Sequence, residues 1–159
     1  MTTLTATERR SHLLAATSHG GAYGVKTLCS TVTVPASTTI TSTINFGRIP
    51  SNARLLGTSR FHSGVLGGTS KLDFGLKAVN GNLANADDPD ALSANHDASG
   101  ALTDGLLVTT YADYGLPAWD FVASETSDPG GELGVYGTIT DLTTTVEGVV
   151  TIQMDYYID

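Results

Sequence analysis

The closing stretch of the chain, Val149 to Ile158, constrains the fold more than any other. Val150, Ile152, Met154, Tyr156 and Ile158 fall on one side of it. Thr151, Gln153, Asp155 and Tyr157 fall on the other. Period-two alternation marks a strand with one face in a core and the other in water or against a partner. A final strand this apolar belongs well inside a sheet, so the fold closes only when the C-terminus arrives.

Upstream segments repeat the pattern. Val25 to Val34 is β-branched and stops at Pro35. Thr38 to Phe46 puts Ile40, Ile44 and Phe46 on one face and Thr39, Thr41 and Thr43 on the other, with Gly47 ending the strand. Arg48 to Ala53 reads as a turn. Arg54 to His62 reads as one strand bulged at Gly57. Ser70 to Ala78 alternates cleanly, with Leu72, Phe74 and Leu76 inward and Lys71, Asp73 and Lys77 outward. Leu106 to Tyr111 and Glu132 to Thr140 complete the longer strands, and Tyr114 to Val122 reads as an aromatic loop with a short strand. About eight short strands with turn signals between them predict an all-β fold, a single β-sandwich or jelly-roll-like domain over residues 25–159. Gly and Thr are abundant and helix formers scarce, which fits.

Two segments stand apart. Residues 1–24 form an N-terminal arm, in which Thr7 to Ala16 has the pattern of a short helix capped by Thr7 before Gly20 and Gly21 break it. Three turns are marginal alone. The arm is therefore either a frayed terminus or a segment that orders on a neighbouring subunit through Arg9, Arg10, His12, Leu13, Leu14 and Tyr23. Residues 80–104 are a long polar excursion, with a one-turn helix expected at Asp88 to Leu92. A connection of that length is usually functional or flexible.

Charge narrows the partners. The formal net charge is −8, from 16 acids against 8 Lys and Arg. An acidic surface repels phosphate backbones and anionic bilayers, so neither nucleic acid nor membrane is expected. The single Cys29 excludes an internal disulfide and reads as a small packed residue. Met1 to Arg10 lacks a signal-peptide layout, which predicts synthesis in a reducing cytoplasm.

No constellation for catalysis is legible. Asp87, Asp88, Asp90 and Asp97 are oxygen-rich but lack the order of a calcium loop. His12, His19, His62 and His96 are scattered, against a zinc site. No nucleophile elbow or phosphate loop is present. The expectation is a protein without catalytic residues, metal or cofactor. Trp119, Tyr111, Tyr114 and Phe121 read either as a binding patch for sugar or protein, or as core. The threonine-rich strand faces read either as solvated or as a polar seam between subunits.

Several segments resemble small virion proteins of tailed bacteriophages, the capsid decoration or cement type. The resemblance lies in the order of "FGRIPSNARLL" (Phe46 to Leu56), "KLDFGL" (Lys71 to Leu76), "DDPDALSANHDAS" (Asp87 to Ser99), "GVYGTIT" (Gly134 to Thr140) and "VVTIQMDYYID" (Val149 to Asp159). It covers about residues 38–159. It implies a β-sandwich made in the host cytoplasm that assembles on the capsid surface, often as a trimer, with the major capsid protein as partner. The arm would dock on the shell. Asp88, Asp90, Tyr111, Tyr114 and Trp119 would contact a sister subunit or project outward. The other expectations weighed are a neck, tail or head-fibre component and a carbohydrate-binding sandwich.

Overall fold

The closing strand is central, as its alternation requires. In the computed structural model, which describes residues 3–5, 8–13, 24–79, 87–100, 103–122, 127–128 and 130–158, it is β11 (Gly148–Tyr157). It pairs antiparallel with β3 (Lys26–Val34) on one side and with β6 (Arg60–Ser63) on the other. Sheet B continues outward to β2 (Glu8–Leu13) beyond β3 and to β9 (Thr103–Leu106) beyond β6, while the short β5 (Arg54–Leu55) also pairs with β11.

Sheet A has the order β1-β4-β10-β7-β8, where β1 is Thr3–Thr5, β4 Thr43–Pro50, β7 Lys71–Ala78, β8 Asp87–Asp97 and β10 Glu132–Thr140. The described residues thus form an all-β sandwich of eleven strands, with two short 3-10 turns at Tyr111–Asp113 and Ala118–Phe121. Strand β3 lies against β4, and β8 against β9. The N-terminal strands therefore close one long side of the sandwich and β8 with β9 the other.

The inward positions make the core: Leu28, Val32 and Val34 of β3, Ile44, Phe46 and Ile49 of β4, Leu72, Phe74 and Leu76 of β7, and Val150, Ile152 and Met154 of β11. Phe74 sits at its centre, with ring centroids 4.6 Å from Phe61 and 6.1 Å from Phe46. Interdigitated inner faces of this kind are what hold two sheets together.

Six local expectations are corrected. The helix expected over Thr7 to Ala16 is a strand where it is described: Glu8 to Leu13 pairs with Thr31 to Lys26. Weak local helix propensity loses to an open ladder of backbone donors and acceptors on β3. The strand expected over residues 38–46 starts later and runs on through Gly47 to Pro50. Gly47, at φ 143°, forms a bulge there, where Val135 opposes Gly47 and Tyr136 opposes Asn45. Residues 38–42 are instead a turn, and Ile40, expected inward, is exposed.

The strand expected over Arg54 to His62 is two strands, because a turn held by Ser59 N–H to Leu56 O (3.0 Å) interrupts it. The excursion over residues 80–104 contains the eleven-residue β8, so the one-turn helix at Asp88 to Leu92 is also strand. Along it Asp88 opposes Leu76, Ser93 opposes Phe74 and His96 opposes Leu72, so extra residues bulge out twice. Bulges and Pro89 suit an edge strand, since both discourage pairing with another sheet. Finally, β9 ends at Leu106, and residues 118–121 form a 3-10 turn rather than a strand.

Candidate interaction surface

The segment after β9 crosses one end of the sandwich and is pinned to it by backbone. Leu55 N–H donates to Leu116 O (3.0 Å), Gly115 N–H to Leu55 O (2.7 Å), Ala118 N–H to Ala53 O (2.7 Å) and Trp119 N–H to Ser51 O (3.0 Å). Arg54 Nη1 adds a bond to Gly115 O at 2.9 Å. On this frame Tyr111 and Tyr114 meet edge to face, with ring centroids 5.4 Å apart. Tyr111 is 84% exposed. The Tyr114 ring rests on Gly57, where an added Cβ would lie 2.3 Å from Cζ. Trp119 behaves differently: it is half-buried and packs against the core, as does Phe121. The expected aromatic patch therefore reduces to the two tyrosines.

The remaining expected contact residues are dispersed. Arg9, Arg10, His12 and Leu13 lie on β2 opposite Ser30, Cys29, Thr27 and Lys26. Leu14 and Tyr23 lie outside the described residues. Asp88 and Asp90 lie on β8, across the sandwich from β2, where the strand arches over Gly75. Asp97, at the far end of β8, is held below the usual carboxylate range, chiefly by bonding to Ser99, whose N–H donates to Oδ1 at 2.8 Å. Cys29 is half-buried on the outward side of β3.

The outward face of sheet B is polar and internally bonded. Thr31 and Thr151 hydroxyls meet at 2.9 Å, and His62 Nδ1 lies 2.6 Å from Asp104 Oδ1. Its notable member is Asp155, which alternation puts outward and which is nevertheless buried. Its carboxylate accepts from Thr27 Oγ1 (2.7 Å), Thr58 Oγ1 (2.8 Å) and Gln153 Nε2 (3.1 Å). Its backbone N–H donates to Ser59 Oγ at 3.0 Å. This ties the turn between β5 and β6 to the central strand. No sequence motif signals it, since two of its three donors, Thr27 and Thr58, come from distant segments.

His96 is a half-buried titratable group that spacing did not reveal. Its ring centroid is 4.3 Å from Phe61 and 5.8 Å from Phe74, so it wedges between the sheets at the β8 edge. Burial holds its pKa below the ordinary value, while the Asp73 carboxylate pulls it upward. Among the described residues no three His, Cys, Asp or Glu side chains converge as metal ligands.

Comparison with family models, curated proteins and solved structures finds no match. A groove of about 210 Å³ crosses the outer face of sheet A, between Thr43 and Asn45 on one wall and Lys77 and Val79 on the other. That is below the roughly 300–1,000 Å³ of pockets that enclose a drug-sized ligand. What the surface offers instead is the exposed tyrosine pair on a pinned backbone.

Proposed function

We propose that the chain is a virion structural protein that decorates and stabilises a phage capsid, binding across major capsid protein subunits as a homo-oligomer, a trimer. The observation that carries the reading is the pair Tyr111 and Tyr114, an exposed aromatic contact followed directly by residues 115–119, which four backbone bonds tie to Ser51, Ala53 and Leu55. Aromatic side chains bring large area at small entropic cost, which is why they anchor protein interfaces. Here the pair supplies the contact with a sister copy. Among the described residues β2 is the outermost strand of sheet B, and its outer edge is where a neighbouring subunit would add. The ordered resemblance over residues 38–159 supplies the shell as partner.

Physically, such a protein adds buried surface across joints between shell subunits. Because it binds the assembled shell and not the dispersed subunits, mass action stabilises the assembly. Neither nucleic acid, membrane nor cofactor takes part. Electron microscopy of purified particles tests the reading. A copy number that tracks the major capsid protein supports it, a handful at the neck or tail moves the protein there, and absence from the particle overturns it.

A further inference from the structure

We propose that the end of the sandwich opposite the tyrosine pair, built by the turns at residues 35–42 and 141–147, is the face that docks on the shell, and that it fits an apolar protein surface ringed by lysine or arginine. This rests on the decoration reading and adds which face makes the contact.

Backbone strain is concentrated here. Among described non-glycine residues with positive φ, Ser37 (66°), Thr41 (64°) and Asp141 (74°) all lie in these two turns, and only Asn95 (61°) lies elsewhere. For a β-branched residue such as Thr41 that conformation is a genuine outlier. Strain of this kind persists only where the surroundings over-determine it. They do so here. Ser37 N–H donates to Thr144 O (2.8 Å), Thr144 N–H to Thr38 O (3.1 Å) and Thr41 N–H to Ile139 O (2.8 Å). Thr38 N–H donates to Thr144 Oγ1 at 3.0 Å, and that hydroxyl donates to Pro35 O at 2.9 Å.

Beside two of the three strained positions stands an apolar residue that faces water. Ile40, next to Thr41, is 46% exposed, and Leu142, next to Asp141, is 52% exposed. Val146, on the same turn as Leu142, is 47% exposed. A fold seeking only stability would place glycine at position 41 and a polar residue at 40. This one holds its aliphatic side chains outward on a rigid frame, which lowers the entropic cost of binding.

Charge selects the occupant. Asp141 and Glu147 flank the aliphatic residues, and Asp97 lies nearby at the end of β8, opposite Lys71. Lys71 Nζ pairs with Asp141 at 3.1 Å, leaving the rim acidic. A second copy would meet this face with the same acidic rim, and an anionic bilayer would repel it. A basic-rimmed protein surface complements it.

The test is binding of purified full-length protein to undecorated phage heads, with oligomeric state measured in parallel. Ile40→Ser combined with Leu142→Ser should lower affinity at least tenfold with an unchanged melting temperature, since both side chains are exposed. Glu147→Lys should lower it severalfold and flatten its salt dependence. Full-affinity binding by both variants would overturn this assignment and leave the decoration reading intact. Failure of the wild-type protein to bind heads would overturn both. If the double variant instead breaks up a wild-type oligomer, the occupant is a second copy and the assignment falls.

Discussion

Single side chains decide more of this molecule than their chemistry announces. Asp155 is the clearest case: period two sends it to the outward face, yet Thr27 and Thr58 from distant segments, with Gln153 of its own strand, bond to it where it lies buried. A charged acceptor with several donors is worth more than a neutral one. Asp155→Ala should therefore cost about 2–3 kcal/mol, read from the urea midpoint, with Asp155→Asn milder. Two glycines separate rigid from yielding contacts. At Gly75 an added Cβ would lie 2.0 Å from the Asp88 carbonyl, so backbone must move; Gly75→Ala should cost about 1–3 kcal/mol. At Gly57 the obstacle is the far end of the Tyr114 side chain, which can swing away. Gly57→Ala should leave stability within about 1 kcal/mol of wild type while abolishing the Tyr111 to Tyr114 contact, visible in near-ultraviolet circular dichroism. None of these roles is legible in sequence, because each depends on which atom stands opposite.

At the scale of elements, the strands with unbroken alternation were readable, the interior strands β4 and β6 were read with the wrong bounds, and the edge strands β2 and β8 were not read as strands. Strands β3, β7 and β11 alternate because the sandwich buries one face of each, and local pattern records that directly, whereas β10 is buried on both faces from Leu133 to Gly137. Strands β2 and β8 carry polar, proline-interrupted or irregular sequence, since an edge strand is held by hydrogen bonds on one side and needs little apolar alternation. The register of β2 has a direct test, because Arg10 opposes Cys29, the only cysteine. Opposed residues on antiparallel strands lie within disulfide reach. Oxidised Arg10→Cys should run as a compact monomer on a non-reducing gel and gain roughly 2–3 kcal/mol of stability. A covalent dimer would show instead that β2 is exchanged between copies. The β8 edge has its own test through His96, whose folded pKa lies below its ordinary value of 6.5 because of burial between Phe61 and Phe74. With the folded pKa depressed, the unfolded chain takes up the proton first as pH falls. The contribution is complete above the unfolded value and is lost progressively below it, until the folded form also titrates. Wild-type melting temperature should fall between about pH 7 and pH 5, and His96→Phe should flatten that part of the profile.

At the scale of the whole molecule, the two ends of the sandwich expose apolar side chains, Tyr111 and Tyr114 at one and Ile40, Leu142 and Val146 at the other. The formal charge of −8 keeps copies apart at neutral pH, so self-association beyond any specific oligomer should rise toward the sequence pI of about 4.7 and be detectable by light scattering. The all-β class, the inward set of the long strands and the central place of the last strand were determined by sequence alone. They follow from a two-residue side-chain period and from the need to bury apolar surface, both of which are local and additive. Tertiary structure alone decided that residues 8–13 join a sheet, that β8 is a strand, that Asp155 is buried and that Ile40 points to water. Each depends on an edge to pair with, a donor to meet or a turn to close, supplied by residues far away in the chain, and no periodicity within the segment encodes them.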